Sequence, residues 1–432
     1  MIRGCVHFAI TSVLIVCVCG CEPKELHREP ANNSLKIVVY YSTADNKEGY
    51  SAAKKGADAA QKVETFQSTA KDYKLEIVTR EDADNINDAS TKAREDRTNP
   101  EILAVVGHSR SSTTLAALPF YAEAGIPVLM PSATSPYVPY RFKLNESWPD
   151  VDNSGKVSGA PRFPRVFRLP PKDVPDQVDA IKETTLKLLS KKPEGATKQV
   201  MLVCDVTKGT GSDIYTKPMC NALLNNKALR PHLSSYRKFD LDSGDIYGIV
   251  TEIHAVKPRY IIVIAYPQVA RALLEEIKER AGSVGGSIVD YTFIFSDACM
   301  TAAHDLMGFG SQIFITFPTP MSDDKTQPPK ALIEVKEKRD SFTEECYTFD
   351  AILMLGEIAR KCGNEVSRKC IADSLEQGKH LAPESGCGEY EFDHGEAVVT
   401  TYQVFGSCNQ ELLRVGTVRR DKGLTGVECP RN

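Results

Sequence analysis

From Leu35 onward, short apolar runs alternate with stretches whose apolar residues recur every three or four positions. Leu35–Tyr41 (LKIVVYY) is rich in β-branched residues and predicts a buried strand. Tyr50–Ser68 puts Ala53, Ala57, Ala60, Val63 and Phe66 on one face and predicts a helix. Lys74–Arg80, Ile102–Gly107 and Pro127–Pro131 read as further strands, with helices over Ile86–Arg97 and Thr113–Glu123. The same order restarts later. Gln199–Cys204, Tyr260–Ala265, Tyr291–Ser296 and Ile313–Phe317 read as strands, and Val174–Leu189, Asp213–Leu224, Asp245–His254 and Gln268–Ala281 as helices. Repeated strand–helix–strand units imply parallel sheets covered on both faces, so the fold class is α/β.

Between the two series lies 137–164, a proline-rich polar stretch holding Trp148, the only tryptophan. It is expected to be a long loop leading to the first crossing between domains. The part from Leu35 to the end is too long for one ordinary core and suits two domains. Near the C-terminus, Cys346–Arg360 reads as a helix. Glu389–Phe392 and Val398–Phe405 read as a hairpin about Asp393–Glu396 (DHGE).

The N-terminus carries a different signal. Arg3 is followed by the apolar run Phe8–Val18, long enough for a signal peptide and too short to span a bilayer. The run ends in Val18-Cys19-Gly20-Cys21, which resembles the lipobox of bacterial lipoproteins with Cys21 as the lipidated residue. Residues 1–20 are then a signal peptide, and 21–34, polar and without apolar period, a tether. Together these imply export and anchoring to a membrane through lipid. The net charge of −4 with mixed signs gives no reason to expect nucleic acid.

Of the 13 cysteines, five lie between 362 and 429, which in an oxidising compartment suggests local disulfides. Cys362 with Cys370, and Cys387 with Cys408, are the expected pairs, each closing a short loop or hairpin. Beyond the signal and anchor cysteines an odd number remains, so at least one thiol is unpaired or joins another chain. No metal-ligand spacing is present, and neither a metal nor a cofactor is expected.

Candidate chemistry sits where the first-series strands end. The third strand runs into Gly107-His108-Ser109-Arg110-Ser111-Ser112-Thr113-Thr114 ahead of a helix, and the fourth into Pro131-Ser132-Ala133-Thr134-Ser135-Pro136. Open α/β sheets take ligands at strand carboxyl ends, and helix starts offer free N–H groups to anions. Ser111, Ser132 and Thr134 can hold a carboxylate without a cationic side chain. Helix capping is the alternative for either cluster alone. Two clusters ending adjacent strands favour a site.

Ile102–Pro136 (ILAVVGHSRSSTTLAALPFYAEAGIPVLMPSATSP) resembles the type I periplasmic binding proteins of the leucine/isoleucine/valine-binding kind. It is also similar to their relatives, the ligand domains of metabotropic glutamate receptors. A weaker resemblance extends from Leu35 to about Gly406 and includes Tyr347-Thr348-Phe349-Asp350-Ala351. The resemblance implies two Rossmann-like lobes joined by three hinge crossovers, lobe 1 from 35–168 and 318–385, lobe 2 from 169–317 and 386–432. It implies that Ser111, Ser132, the main chain of Ala133, and Thr134 bind a ligand α-carboxylate. It points to Asp297, in Phe295-Ser296-Asp297-Ala298, for an α-ammonium; capping of a helix over Met300–Met307 is the alternative for Asp297. Asp173, after Phe167-Arg168-Leu169-Pro170, matches an acidic position near the first crossing, where its residues alone suggest a helix cap or hinge support.

The match departs from the family at the side-chain half of the site. Ala265 stands where many amino-acid binders carry Tyr, with Tyr266 one residue on, and Lys208-Gly209-Thr210-Gly211-Ser212 replaces a Tyr-Gly, with Tyr215 further along. Tyr50 approximates the first-loop contact. The implied function is capture of a small carboxylate ligand, an amino acid or a relative of one, by hinge closure, with delivery to an ABC permease. The alternatives are signalling to a sensor partner and, more distantly, serine hydrolysis. For the last, Gly107-His108-Ser109-Arg110-Ser111 imitates a nucleophile elbow but places Ser111 where the turn wants Gly.

Overall fold

The structure is a computed structural model describing residues 34–42, 52–63, 73–82, 85–141, 149–152, 155–191, 199–207, 213–241, 244–283, 288, 291–320, 330–333, 343–377, 379–381, 387–398, 401–408, 410–419 and 423–427. The signal peptide, residues 21–33 of the tether with Cys21, Tyr50, Trp148, residues 208–212 and Cys429 lie outside them, while Ser34, expected to end the tether, already belongs to the first strand.

The chain builds β1 (Ser34–Tyr41), β2 (Lys74–Glu81), β3 (Ile102–Val106), β4 (Val128–Met130) and β5 (Val166–Arg168) in one sheet. It then crosses to a second sheet of β6 (Val200–Asp205), β7 (Leu233–Phe239), β8 (Tyr260–Ile264), β9 (Thr292–Phe295) and β10 (Gln312–Pro318). It returns to the first for β11 (Lys379–Leu381), β12 (Glu389–Asp393) and β13 (Glu396–Ala397), and finishes in the second with β14 (Thr401–Cys408), β15 (Glu411–Arg419) and β16 (Gly423–Gly426). The orders are β11-β12-β13-β5-β4-β3-β1-β2 and β16-β15-β14-β10-β9-β8-β6-β7. Both are parallel across β1–β5 and β6–β10 and turn antiparallel near the C-terminal strands. β3, β6 and β8 are buried throughout, as a strand covered on both faces requires.

Each lobe packs one apolar layer on each side of its sheet. In lobe 1 the helix Thr343–Cys362 lays Tyr347, Phe349, Ile352 and Leu355 against Ile37, Val39 and Val106. The small residues of Ala52–Ala60 let that helix come close: a Cβ on Gly56 would stand 2.5 Å from the Glu345 carbonyl. The helix Ser111–Glu123 covers the opposite face with Leu115, Leu118 and Tyr121. In lobe 2, Ile249, Leu273 and Ile277 cover one face and Val178, Ile181 and Met219 the other.

Three features differ from the sequence-based expectation. First, Glu389–Asp393 pairs with Glu396–Ala397 and not with the segment after it, which lies in the other sheet. DHGE does make the turn, with Gly395 at φ +75°, where a Cβ would stand 2.2 Å from the Val166 carbonyl. Glu396 binds the first crossing by facing Arg168 Nε at 3.2 Å and Arg162 at 3.0 Å, so the chain passes to the second sheet only between Ala397 and Thr401, later than the expected break at 385/386. Second, Cys387 joins Cys346, not Cys408. The Asp350 carboxylate anchors it in lobe 1 by accepting from the Cys387 N–H (2.8 Å), the Gly388 N–H (3.1 Å) and the Tyr390 hydroxyl (2.8 Å). Cys408 ends β14 in the second sheet and is itself disulfide-bonded. Third, Cys204–Cys220 is an unforeseen bridge from a strand to the following helix. Cys362–Cys370 pairs as expected, and Cys299 is a buried free thiol.

Candidate functional site

The first-lobe half is made where β3 and β4 end. Gly107 adopts φ +144°, and a Cβ there would meet the Tyr40 Cβ at 2.8 Å, so the exit from β3 requires glycine. His108 is fully buried beneath the turn. Its Nδ1 lies 2.9 Å from Asp82 Oδ2, its Nε2 lies 3.1 Å from the Tyr121 hydroxyl, and its ring stacks on Tyr40 at 4.1 Å. These contacts fix the backbone from which Ser109, Arg110 and Ser111 project.

The two hydroxyl clusters meet. Ser132 Oγ donates to the Ser109 carbonyl at 2.7 Å, tying the β4 exit to the β3 exit. The Ser135 N–H donates to Ser111 Oγ at 3.3 Å, which leaves the Ser111 proton for an incoming acceptor. Ala133 and Thr134 are buried alongside. Ser111, Ser132, Ala133 and Thr134 therefore share one corner of lobe 1 as the sequence suggested, though Ser132 uses its own proton as a structural brace.

The lobes touch at this corner. Ser135 Oγ donates to the Ile214 carbonyl at 2.8 Å, and the Ile214 side chain packs into the lobe 1 core. The Thr134 carbonyl accepts from the Asp173 N–H at 3.0 Å and from the Arg168 guanidinium at 2.6 Å, both on the first crossing.

Across the cleft stands Asp297, just beyond β9 at the start of a short 3-10 segment. Its carboxylate accepts from the Tyr215 hydroxyl and from the Ala298 N–H at 2.9 Å. The local N–H contact belongs to the capping alternative; the Tyr215 contact does not. Burial raises the Asp297 carboxyl above the usual range, with the Tyr215 and Gln177 hydrogen bonds opposing. Tyr215 lies against Tyr266 with ring centres 5.3 Å apart, and Arg110 of lobe 1 places its guanidinium 5.7 Å from the Tyr266 ring centre.

Asp173 is the most unusual group in the cleft. It is fully buried, and among the described residues neither carboxylate oxygen has a hydrogen-bond partner, so it does not cap a helix. Burial pushes its pKa well above the ordinary range and the nearby Asp297 charge adds to this; Thr134 and Arg168 work in the other direction. Gln177 Oε1, Ser296 Oγ, Thr316 Oγ1 and, on the other lobe, Ser109 Oγ are likewise buried without a partner among the described residues. Buried polar atoms without a partner are exceptions in a folded protein, so each of these calls for an explanation.

Sequence reasoning passed over Arg110 as a cleft residue and noted Tyr215 and Asp173 without placing them in the site. Tyr215 reaches Asp297 over 82 residues of sequence, a pairing that no local spacing carries.

No family model matches the sequence, and no functionally curated protein does. Solved structures do share its shape. A leucine-binding protein, LivK of Thermotoga maritima, matches with a TM-score of 0.66 at 18% identity, over 90% of this chain and 99% of that one. LivJ of Streptococcus pneumoniae, in complex with isoleucine, gives 0.65 at 17% identity, over 89% and 99%. A solute-binding protein from R. palustris in complex with benzoate gives 0.60 at 13% identity, over 91% and 96%. With its two mixed sheets and three crossings between them, the chain has the two-lobed α/β fold of the type I periplasmic binding proteins.

Proposed function

We propose that this protein is an extracytoplasmic solute-binding protein, tethered by lipid at Cys21, that captures an α-amino acid between its lobes and hands it to an ABC permease. One observation carries the reading. A cluster of neutral donors on lobe 1 (Ser111, Thr134 and the start of the helix Ser111–Glu123) faces a half-buried acid on lobe 2 (Asp297), with the buried Asp173 between them on the crossing.

The chemistry follows from desolvation. A carboxylate entering the lobe 1 corner trades water for the Ser111 hydroxyl and helix N–H groups, which suit an anion. An ammonium leaving water needs a paired carboxylate, and Asp297 supplies one already oriented by Tyr215. Ligand contacts made with both lobes at once favour the closed arrangement over the open one. The LivK and LivJ matches, proteins named for leucine and solved with isoleucine, support the ligand class. The benzoate complex has in common with them only the carboxylate, the end that the better-defined half of the site would hold.

Hydrolysis finds no support. The elbow serine needs a base, and both ring nitrogens of the adjacent His108 are taken by Asp82 and Tyr121. A thermal-shift screen of the mature protein against amino acids, amides, nucleobases and small carboxylates tests the reading. One or more amino acids raise the melting temperature by mass action; stabilisation by nucleobases alone contradicts it.

A further inference from the structure

The two halves of the site are joined by a short path through the contact between the lobes. The Ser135 N–H donates to Ser111 Oγ, and the Ser135 hydroxyl donates to the Ile214 carbonyl. One residue further, the Tyr215 hydroxyl donates to Asp297. Ile214 and Tyr215 are chain neighbours that serve opposite lobes. Ile214 is 6% exposed and belongs to the lobe 1 core with Ala133, Tyr137 and Val138, whereas Tyr215 belongs to the lobe 2 core with Met219 and Leu223. Two further observations mark the same contact. Burial pushes the Tyr137 hydroxyl up to about 12, and the Asp150 and Asp213 charges add to this, so the residue before Ile214 stands near Tyr137. Val151, in the proline-rich segment after Tyr137, packs against both cores.

The loop bearing Ile214 cannot yield on its own. The Cys204–Cys220 disulfide ties β6 to the helix Thr216–Leu224, and the Thr216 hydroxyl donates to the Asp205 carbonyl. Both ends of the loop are therefore fixed to lobe 2, and Ile214 leaves lobe 1 only when the lobes part. Parting them exposes the isoleucine side chain to water, which disfavours the open arrangement by roughly tenfold to a hundredfold. The Ser135 hydrogen bond contributes less, since water replaces it when it breaks. The apolar contribution is large enough to set the balance between open and closed lobes.

We propose that Ile214 is the latch of the cleft: it holds the lobes closed by entering the apolar core of lobe 1, and in doing so sets Tyr215 and Asp297 opposite the Ser111–Thr134 corner. Ile214 is a positioning residue and need not touch a ligand. Closure by the latch stands apart from ligand identity; only its consequence for binding rests on the amino-acid reading above.

Small-angle X-ray scattering of the protein and its Ile214→Val, Ile214→Ala and Ile214→Asp variants tests this, first alone and then with a mixture of the common amino acids. Circular dichroism reports whether each variant keeps its fold. Alone, Ile214→Asp has a larger radius of gyration than wild type, and Ile214→Ala lies between them. Ile214→Val, which keeps most of the apolar bulk, stays close to wild type. The mixture returns Ile214→Ala and Ile214→Asp toward the wild-type radius with unchanged dichroism, because ligand contacts with both lobes replace the lost latch. The same radius for wild type, Ile214→Ala and Ile214→Asp overturns the latch. Loss of dichroism in both variants also overturns it, because Ile214 is then needed for folding and not for closure. An expansion of Ile214→Val as large as that of Ile214→Asp does so too. Expanded, folded variants that the mixture leaves expanded uphold the latch and overturn the amino-acid reading.

Discussion

Replacing Asp297 by asparagine separates the charge of the second-lobe acid from its shape. The side chain accepts from the Tyr215 hydroxyl and the Ala298 N–H. An amide oxygen in the same place accepts from both, so the local fold survives and only the charge is lost. In the free protein the change is tolerated, because burial already disfavours the ionised carboxylate. In the complex the α-ammonium is left desolvated without its counter-charge. Truncating one side of a buried charge pair costs on the order of 2–5 kcal/mol, so a loss near 3 kcal/mol is expected, roughly 150-fold in Kd. Titration calorimetry with the amino acid that most stabilises the wild type measures it. The control is the same carbon skeleton without the amino group, whose affinity holds or improves once a nearby negative charge is gone. If Asp297→Asn weakens both ligands alike, or neither, Asp297 is not the ammonium acceptor and the second-lobe half of the account fails.

Other expectations follow from the same geometry. Ser111→Ala and Thr134→Ala each weaken amino acids and deaminated acids together by about 1–3 kcal/mol, because both ligands share the carboxylate; selective loss of the amino acid contradicts the assignment. Asp173 keeps its proton to higher pH folded than unfolded. The contribution of Asp173 to stability is therefore greatest at low pH and falls as pH rises from the ordinary carboxylate range through the folded value. Melting temperature against pH shows this decline in wild type and a flatter profile in Asp173→Asn; identical profiles contradict it. An ammonium arriving near Asp173 and Asp297 favours their ionised forms, so binding releases protons and the calorimetric heat varies with the buffer's ionisation enthalpy. Gly395→Ala forces a side chain into positive φ and against the Val166 carbonyl, and is expected to lower stability by more than about 1 kcal/mol in chemical denaturation.

The parts of the fold that were legible are those where burial dictates sequence. β1, β3, β6 and β8 lie inside their sheets and carry apolar runs, interrupted in β1 by Lys36 and closed in β6 by Asp205. β7 (LSSYRKF) was not seen because it is a sheet edge, mostly half-buried or exposed, and needs no such run. The exchange of β12 and β14 between sheets was hidden for a different reason: alternation marks a strand but says nothing about its partner, and the Glu396 contact with Arg168 that fixes the pairing spans the whole of lobe 2. The site divides in the same way. Ser111, Ser132 and Thr134 stand on consecutive strand ends and could be read from spacing. Tyr215, Asp173 and Arg110 come together only through folding of both lobes, and the unpartnered oxygens of Asp173 have no counterpart in any local motif.

The central claim is that one ligand bridges the Ser111–Thr134 corner and Asp297. A crystal structure of the protein with its most stabilising amino acid tests this directly. The expected electron density has the α-carboxylate within hydrogen-bonding distance of the Ser111 and Thr134 hydroxyls and the ammonium against Asp297. A carboxylate turned toward lobe 2, or a ligand seated away from the ends of β3, β4 and β9, contradicts the account.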